Sequence, residues 1–215
     1  MASTASPPDR IAEGAVRLGV ALDAAQLAAL HRYLDLLEKW NAAYNLTAVR
    51  GRAAMQTEHI LDSLAVVPHL RPGSLLDVGT GAGLPGVVVA IARPDIACVL
   101  LDSNGKKTRF LKQAVFDLGL RNADVVQARI EEYRPDRVPG QVVSRAFASL
   151  PDMVAGCRGL LAGGARLLAM KGVRPDDEIA ALPASVLVEQ VIALQVPWLG
   201  KERHLVCMKD IGNTQ

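Results

Sequence analysis

The chain has 215 residues, of which 50% are hydrophobic and 21% charged, and its formal net charge is +2. This composition predicts a folded core over most of the length and excludes an intrinsically disordered chain. A charge so close to zero excludes a protein that holds naked nucleic acid by electrostatics alone, although it permits a nucleic-acid substrate.

The chain also lacks the sequence marks of a membrane or secreted protein. The longest apolar run near its middle, residues 87–92, is far shorter than the roughly 20 residues that a transmembrane helix needs. Residues 1–8 contain no signal-peptide pattern and are expected to form a flexible tail. Cys98, Cys157 and Cys207 form no CxxC pair, which argues against a disulfide framework or a zinc site. We therefore expect a cytoplasmic protein.

Residues 9–70 have a helical pattern and are predicted to form an N-terminal extension. Asp23 is a candidate N-cap. Apolar residues then recur at spacings of three and four on one face: Leu27, Leu30, Leu34, Leu37 and Trp40. This helix is expected to end within 41–45, and a further helix is predicted over 53–67, stopping before Pro68.

From residue 71 onward, short apolar runs alternate with helical segments, which is typical of an α/β fold with a mostly parallel sheet. The predicted strands are 74–78, 97–101, 124–127, 142–144 and 166–170. The predicted helices are 85–92, 106–118, 151–161 and 176–181. Two later runs, 186–196 and 204–209, are expected to close the sheet as an antiparallel pair. Such a sheet binds its ligand at the carboxyl ends of its strands.

The first of these strands ends in the strongest motif of the sequence. Gly79, Gly81 and Gly83 permit a tight turn and close approach of a ligand to the backbone. A dinucleotide fingerprint would have glycine where this chain has Leu84. Asp77 before the loop would repel a pyrophosphate but suits a ligand with an ammonium group. The loop therefore favours S-adenosylmethionine over a nicotinamide dinucleotide.

Acidic residues follow the next two predicted strands. Asp102 is placed to accept hydrogen bonds from the ribose hydroxyls of an adenosine, or else to act as an N-cap of the following helix. Ile130 and Glu131 follow the third strand and are candidates to frame the adenine, or else form an ordinary turn.

Basic residues follow the fourth and fifth strands. Arg145 is costly to bury without a partner, which favours contact with a ligand or substrate over a packing role. Lys171 is a candidate to orient the target or a phosphate, or else a solvated charge. The segment 144–147 is not the Asp/Asn-Pro-Pro-aromatic group of enzymes that methylate exocyclic amines, and no Pro-Cys pair supplies a nucleophile. Methylation of a ring nitrogen such as guanine N7 needs neither device.

With these residues, the chain resembles the RsmG (GidB) family of small-subunit rRNA guanine-N7 methyltransferases. The motifs that carry the resemblance lie at 40–47, 59–64, 77–86, 106–111, 144–146 and 171–172. Of these, 40–47, 59–64 and the Leu84-Pro85-Gly86 ending are the specific ones. The resemblance implies a class I S-adenosylmethionine-dependent methyltransferase domain, Rossmann-like with a seven-stranded sheet, over residues 71–215.

The resemblance also implies methyl transfer to N7 of the guanine at position 527 of 16S rRNA. We expect the 16S rRNA to be bound within a small-subunit particle and the enzyme to act as a monomer. It assigns cofactor contacts to Gly79, Leu84, Ile130, Glu131 and Arg145. Many family members have phenylalanine in place of Leu84 and glutamate in place of Asp102. Both replacements keep the type of contact, but the shorter Asp102 has less reach toward the ribose.

Two further sets of residues have open interpretations. Polar residues among the helical apolar ones either fix the extension by hydrogen bonds or face the RNA: Asn45, Thr47, His59, Asp62 and Ser63. Basic residues are candidate phosphate contacts or ordinary surface charges: Arg50, Arg52, Lys106, Lys107, Arg109, Lys201 and Arg203. Trp198 either stacks on a base or belongs to the core.

Two rival functions follow from the same residues. One is a nicotinamide-dependent oxidoreductase on a similar fold. The other is a ribosome-assembly protein that has kept a cofactor pocket without turnover. The sequence favours a methyltransferase with Arg145 and Lys171 at the catalytic end of the site.

Overall fold

The computed structural model describes residues 9–212, so the predicted tail 1–8 lies outside the described residues. The extension begins with α1 (Arg10–Arg17) and α2 (Ala24–Tyr44). Asp23 caps α2, as predicted: its carboxylate accepts a hydrogen bond from the Gln26 N–H, and the Gln26 side chain accepts one from the Asp23 N–H. At the other end of α2, Asn45 adopts a left-handed conformation with φ 50°.

The second helical run of the extension differs from the prediction. It consists of α3 (Arg52–Met55), a π-helical segment (Gln56–Leu61) and α4 (Asp62–Leu64), followed by a 3-10 turn (Val67–His69). The turn contains Pro68, so the helical path does not stop before this residue. Proline is tolerated there because the first turn of a helix leaves its backbone N–H groups without internal acceptors.

The remaining chain forms the predicted seven-stranded sheet. Its strands are β1 (Gly73–Val78), β2 (Ile96–Asp102), β3 (Ala123–Gln127), β4 (Gln141–Ser144), β5 (Arg166–Lys171), β6 (Val186–Ala193) and β7 (His204–Asp210). Their order is β3-β2-β1-β4-β5-β7-β6, and β7 runs antiparallel to both of its neighbours. The predicted closing pair is confirmed, but β6 ends at Ala193, short of residue 196. The Leu194 N–H donates to the Arg203 carbonyl and closes the loop between β6 and β7. Pro197 lies in this loop, and proline has no backbone N–H to donate to a neighbouring strand.

Helices cover both faces of the sheet. They are α5 (Gly86–Ala92), α6 (Gly105–Leu118), α7 (Leu150–Gly156), α8 (Arg158–Ala162) and α9 (Asp176–Ala180). The single helix predicted over 151–161 is therefore wrong: two helices meet at Cys157, whose backbone leaves the helical region with φ −99° and ψ 12°. Gly156 and Gly159 flank this break, and glycine is a poor helix former.

The extension shares the core of the sheet domain. Tyr33, Leu34 and Leu37 of α2 are fully buried in the same hydrophobic cluster as Phe110 of α6 and Val88 of α5. In addition, the Gln26 side chain donates to the carbonyls of Ile91 and Ala92 at the end of α5. The extension is thus held against α5 and α6, the helices that follow β1 and β2. No described helix is long and apolar enough to cross a membrane.

Candidate active site

The glycine loop connects β1 to α5 and has left-handed backbone conformations. The φ angles of Gly79, Gly81 and Gly83 are 65°, 63° and 94°, a region that residues with a Cβ atom rarely adopt. A Cβ atom on Gly79 would lie 2.5 Å from Cβ of Ala146, and one on Gly83 would lie 2.4 Å from a methyl group of Val87. Close packing therefore requires glycine at both positions, at Gly79 against the end of β4 and at Gly83 against α5.

Asp77 stabilises this loop through hydrogen bonds. Its Oδ2 accepts hydrogen bonds from the Thr80 hydroxyl at 2.6 Å and the Gly86 N–H at 2.7 Å. Its Oδ1 is buried and has no partner among the described residues. Burial raises the pKa of Asp77 to about 6, although the Thr80 hydrogen bond opposes the shift. Asp77 therefore holds the glycine loop in place, a role that was not predicted from the sequence. Its contact with a ligand ammonium group stays a prediction.

Asp102 ties the loop to the end of β2. Its Oδ2 accepts from the Gly81 N–H at 2.9 Å, and its Oδ1 accepts from the Asn104 N–H at 2.8 Å. The ammonium group of Lys107 lies 3.9 Å from Oδ2. Asn104 is the N-cap of α6, so the alternative interpretation of Asp102 as the cap is wrong. Asp102 instead stands at the carboxyl edge of the sheet beside a cavity.

That cavity, which we term the cofactor cleft, has a volume of about 430 Å³. It is lined by Val78, Gly79, Leu101, Asp102, Ser103, Lys107, Ala128, Arg129, Ile130, Glu131, Ala146 and Phe147. Four of the predicted cofactor contacts therefore meet in one place: Gly79, Asp102, Ile130 and Glu131. Ile130 and Glu131 lie on a 3-10 turn after β3. The cleft combines a carboxylate, apolar side chains and loop backbone, as an adenosine ligand requires.

Other predicted contacts do not line the cofactor cleft. Gly81, Gly83 and Leu84 belong to the loop behind it, and Leu84 is buried in the core. Arg145 and Lys171 line a second cavity, which we term the Asp62 cavity. Because Arg145 lines one cavity while the next two residues along the chain, Ala146 and Phe147, line the other, the two cavities adjoin at the end of β4.

The Asp62 cavity has a volume of about 360 Å³ and lies beneath the π-helical segment. Its lining residues are Val49, Glu58, His59, Asp62, Arg145, Met170, Lys171, Gly172 and Arg203. Asp62 Oδ2 lies 3.1 Å from Nη1 of Arg145, and Oδ1 lies 2.8 Å from Nε of Arg203. The buried carboxylate thus holds one guanidinium group on each oxygen.

Lys171 is also held in place. Its ammonium group lies 2.8 Å from Oε1 of Glu178 and donates to the carbonyl of Ala148 at 3.1 Å. It is therefore a paired charge at the rim of the Asp62 cavity and not a freely solvated one.

His59 is a neutral structural residue. Its Nδ1 lies 3.0 Å from the Glu58 carbonyl and must donate to it, so its Nε2 accepts from the Thr47 hydroxyl at 2.9 Å. Burial, assisted by the charge of Arg145, lowers the pKa of His59. With both ring nitrogens occupied, His59 fixes the π-helical segment to the end of α2.

The other polar residues of the extension make contacts within the protein or are buried, and contact with RNA stays a prediction. Asn45 accepts a hydrogen bond from Arg50 at 2.9 Å, and the Ser63 hydroxyl is buried without a partner among the described residues. Thr47 also bonds Asn41 through its N–H. These contacts fix the extension, whereas Asp62 reaches across to the sheet domain.

Several candidate phosphate contacts are already paired. Arg52 lies 2.6 Å from Asp35 and 2.8 Å from Glu38, and Lys201 lies 3.2 Å from Glu58. Lys106 and Arg109 are exposed on α6. Trp198 is 40% exposed and has φ 59°, with the Arg17 guanidinium 4.7 Å from its ring. It is therefore a surface residue that stacks against α1 and not a core residue.

Two residues that support the site were not predicted from the sequence. The Tyr33 hydroxyl donates to the Ala82 carbonyl within the glycine loop at 2.5 Å. The Ser144 hydroxyl donates to the Val78 carbonyl at 2.7 Å and so joins the ends of β4 and β1. Tyr33 gave no signal beyond its place on the apolar face of α2, because its partner is distant in the sequence.

Comparisons with known proteins agree with this geometry. The family described as GidB, rRNA small subunit methyltransferase G, matches residues 26–206. The chain is 48% identical to ribosomal RNA small subunit methyltransferase G of Hahella chejuensis, over 96% of this chain and 95% of that protein. It is 52% identical to the protein of the same name from Yersinia enterocolitica, over 89% and 94% of the two chains.

Solved structures share the fold at low sequence identity. A protein of the NADB-Rossmann superfamily from Streptococcus agalactiae aligns with a TM-score of 0.59 and 15% identity, over 69% of this chain and 67% of its own. An O-methyltransferase from neocarzinostatin biosynthesis, solved in complex with S-adenosylmethionine, aligns with a TM-score of 0.53 and 21% identity, over 68% and 50%. The seven-stranded sheet with its antiparallel β7 also differs from the six-stranded order typical of nicotinamide-dependent dehydrogenases.

Proposed function

This chain belongs to the rRNA small subunit methyltransferase G family, and on that premise we propose that it methylates N7 of the guanine at position 527 of 16S rRNA. S-adenosylmethionine is the methyl donor, and its sulfonium group supplies an activated methyl group. We further propose that the enzyme acts as a monomer on a small-subunit particle.

The residues of the cofactor cleft suit this donor. Asp102 keeps carboxylate lone pairs beside the cleft for ribose hydroxyls, and Ile130 offers an apolar surface to the adenine. Glu131, on the same 3-10 turn, offers a polar acceptor at the adenine edge. Gly79 leaves room next to Ala146 for close approach of the ligand to the backbone. The residues that line the cleft are thus chemically suited to an adenosine group.

We propose guanine N7 as the acceptor atom because its methylation needs neither a general base nor a covalent nucleophile. Guanine N7 already has a lone pair and loses no proton on methylation, so alignment and electrostatics suffice. His59 is neutral and uses both ring nitrogens, which leaves it unsuited to act as a general base. The described cysteines are buried, and burial raises the pKa of Cys98 and of Cys157 to about 12. None of these side chains is placed to form a covalent intermediate or to remove a proton.

The observation that carries the proposal is the junction of the two cavities at the end of β4. Arg145 faces the Asp62 cavity while Ala146 and Phe147 face the cofactor cleft. A base entering through the Asp62 cavity would meet a methyl donor in the cleft beside Arg145. Lys171, which also lines the Asp62 cavity, is proposed to orient the nucleotide.

The test is methyl transfer by the purified protein. With S-adenosylmethionine, it should add one methyl group to unmodified small-subunit particles, and mass spectrometry of 16S rRNA should place the group on N7 of guanine 527. Methylation of another nucleotide or another atom would contradict the assignment. Absence of any transfer, to particles or to free RNA, would contradict the enzymatic function itself.

The alternative of an assembly protein without turnover is tested by Arg145→Ala in cells that otherwise lack this protein. We expect the methyl group on 16S rRNA to be lost while the variant remains folded. Full modification by the variant would show that Arg145 has no part in the reaction.

A further inference from the structure

We propose that Asp62 is a positioning residue that holds Arg145 and Arg203 as a clamp for one phosphodiester group of the RNA substrate. This inference rests on the proposed function, because it names the part of the substrate that the Asp62 cavity binds. The contacts, the unused donors and the charge of this cavity all support it.

Asp62 connects three separate parts of the chain. It lies on α4, Arg145 follows β4, and Arg203 precedes β7. The carboxylate is 3% exposed, and each of its oxygens holds a different guanidinium group. A buried carboxylate in this arrangement fixes the directions of both arginines before any ligand arrives, which lowers the entropy lost on binding.

The two guanidinium groups keep donors that the protein does not use. Arg145 bonds Asp62 through Nη1, which is also 3.5 Å from the Glu58 carbonyl. Arg203 uses Nε for Asp62 and Nη1 for the Glu202 carbonyl. In the described chain, Nε and Nη2 of Arg145 and Nη2 of Arg203 have no acceptor. Because both side chains line the cavity, an oxygen-rich ligand there has planar N–H donors to accept from.

The charge of the clamp suits a single anion. Lys171 is paired with Glu178, and Glu58 is paired with Lys201. Asp62 therefore remains as one negative charge between two positive ones, Arg145 and Arg203. The excess of one positive charge matches a phosphodiester, which carries one negative charge and two free oxygens. Arginine is the residue that recognises this group best, through paired N–H donors.

The position of Arg203 favours the RNA over the cofactor as the source of this anion. The methionine end of S-adenosylmethionine also carries a carboxylate, but Arg203 does not line the cofactor cleft. It lies on the loop between β6 and β7, and β7 is separated from β4 by β5 in the sheet. An anion held by both arginines is thus displaced from the cleft toward the surface on which the RNA would lie.

The first experiment compares Arg203→Gln with Arg93→Gln. Arg93 also pairs with an aspartate, Asp95, but at the opposite edge of the sheet where β2 begins. For Arg203→Gln we expect Kd for the small-subunit particle to rise about tenfold and the salt dependence of log Kd to fall by about one unit of slope. Kd for S-adenosylmethionine should stay within about twofold, and Arg93→Gln should change neither constant.

Asp62→Asn distinguishes the positioning of the two arginines by Asp62 from a simple attraction of phosphate by the charge of the cavity. Removing a negative charge would tighten RNA binding if the cavity only attracted phosphate, whereas loss of the clamp should weaken it, also by about tenfold. The double variant Asp62→Asn with Arg203→Gln should lose no more than either single one. Circular dichroism and thermal unfolding check folding, and Arg203→Gln remains informative if Asp62→Asn does not fold.

Three outcomes would overturn the proposal while wild-type methylation persists. The first is unchanged RNA affinity in Arg203→Gln. The second is tighter RNA binding by folded Asp62→Asn. The third is a rise in Kd for S-adenosylmethionine as large as the rise for RNA, which would assign the clamp to the cofactor carboxylate. Absence of methylation by the wild-type protein would contradict the proposed function instead.

Discussion

The two cavities at the carboxyl edge of the sheet are built in different ways. The cofactor cleft is lined by residues from a contiguous part of the sheet, the ends of β1, β2, β3 and β4. Much of its shape comes from backbone: the Gly79 and Thr80 N–H groups both bond the Leu101 carbonyl. The Asp62 cavity instead depends on side chains from the extension, β4, β5 and the loop before β7.

This difference indicates a division of labour. A backbone-built cleft changes little when neighbouring side chains vary, which suits a ligand that many enzymes share. A cavity built from distant side chains can be altered one residue at a time, which suits a substrate specific to one enzyme. We therefore expect variants in the cofactor cleft to affect mainly the affinity for S-adenosylmethionine and variants in the Asp62 cavity to affect mainly the affinity for RNA.

Gly79→Ala should produce the largest effect. The new Cβ atom would lie 2.5 Å from Cβ of Ala146 in a backbone conformation with φ 65°. The left-handed conformation costs about 1–2 kcal/mol and the overpacking about 1–3 kcal/mol more. We expect the free energy of unfolding, from urea denaturation, to fall by their sum and binding of S-adenosylmethionine to be lost in calorimetry.

Gly119→Ala is the matched control for this substitution. Gly119 also has φ 65°, at the end of α6, but a Cβ atom there meets nothing within 4 Å. Its variant should show the conformational cost alone and bind the cofactor normally. Equal losses in both variants would mean that contact with Ala146 is unimportant, and the cleft would then depend less on close backbone packing than we infer.

The cofactor cleft was the part of the site that the sequence could predict. Asp77, Gly79 and Asp102 each stand at the end of a strand, and strand ends of a parallel sheet meet at one edge. The local pattern of the chain therefore placed them together. Gly81, Gly83 and Leu84 do not line the cleft, and the burial of the Leu84 side chain in the core depends on packing that no local pattern encodes.

The Asp62 cavity could not be assembled from local pattern. Asp62, Arg145 and Arg203 were each singled out from the sequence, but separately. Asp62 stood among the polar residues of the extension, Arg145 after the fourth strand, and Arg203 among the candidate phosphate contacts. Their contacts join residues 83 and 141 positions apart, and such pairs follow only from the complete fold. The sequence pattern likewise does not distinguish the π-helical segment from an ordinary helix, because π-helical and α-helical spacing of apolar residues differ too little over six residues.

Asp102→Asn should give the next largest effect, confined to the cofactor. Asparagine keeps one acceptor oxygen but turns an NH₂ group toward either the Gly81 or the Asn104 N–H. It also loses the negative charge that we propose for contact with the ribose hydroxyls. We expect Kd for S-adenosylmethionine to rise about 10- to 100-fold, which corresponds to about 1.4–3 kcal/mol for a hydrogen bond to a charged group.

For Asp102→Asn, Kd is measured for S-adenosylmethionine by calorimetry and for the small-subunit particle in a binding assay. The two constants together test whether the two cavities act separately. Kd for the small-subunit particle should not change, and Asp124→Asn, at an exposed position on β3, should leave both constants unchanged. A rise in the particle Kd of Asp102→Asn would show that the two cavities do not act separately.

Thr80→Val should weaken the loop in a pH-dependent way. The pKa of Asp77 is raised to about 6 from its ordinary 3.8, so its contribution to stability is present below about pH 4 and is lost as pH rises through about 6. The Thr80 hydroxyl opposes this by bonding the ionised carboxylate. Its removal should cost about 1.5–3 kcal/mol at pH 7.5, where Asp77 is charged, and less at pH 5.

Urea denaturation at the two pH values measures this difference. Thr108→Val is the control, because the Thr108 hydroxyl bonds the Gly105 carbonyl and the Gln127 side chain but no carboxylate. Its loss of stability should be the same at pH 5 and pH 7.5. A loss for Thr80→Val that is independent of pH would mean that Asp77 is not charged in the folded protein near neutral pH.

Tyr33→Phe should have the smallest effect and tests how the extension serves the site. The substitution keeps the buried ring but leaves the Ala82 carbonyl without its hydrogen bond. We expect a loss of about 1 kcal/mol in the free energy of unfolding and a rise of a few-fold in Kd for S-adenosylmethionine, since Ala82 belongs to the glycine loop. Tyr44→Phe is the matched control: its exposed hydroxyl bonds no described residue, so neither quantity should change.

Tyr33→Phe also shows which of the two cavities α2 affects. Tyr33 lies on α2 and supports the cofactor loop, whereas Asp62 lies on α4 and supports the arginine clamp. If the extension acts through these two contacts independently, Tyr33→Phe should leave the particle Kd unchanged while Asp62→Asn leaves the cofactor Kd unchanged. A rise in the particle Kd of Tyr33→Phe would show instead that α2 and the π-helical segment respond as one unit, and the extension would then couple the two cavities rather than serve each separately.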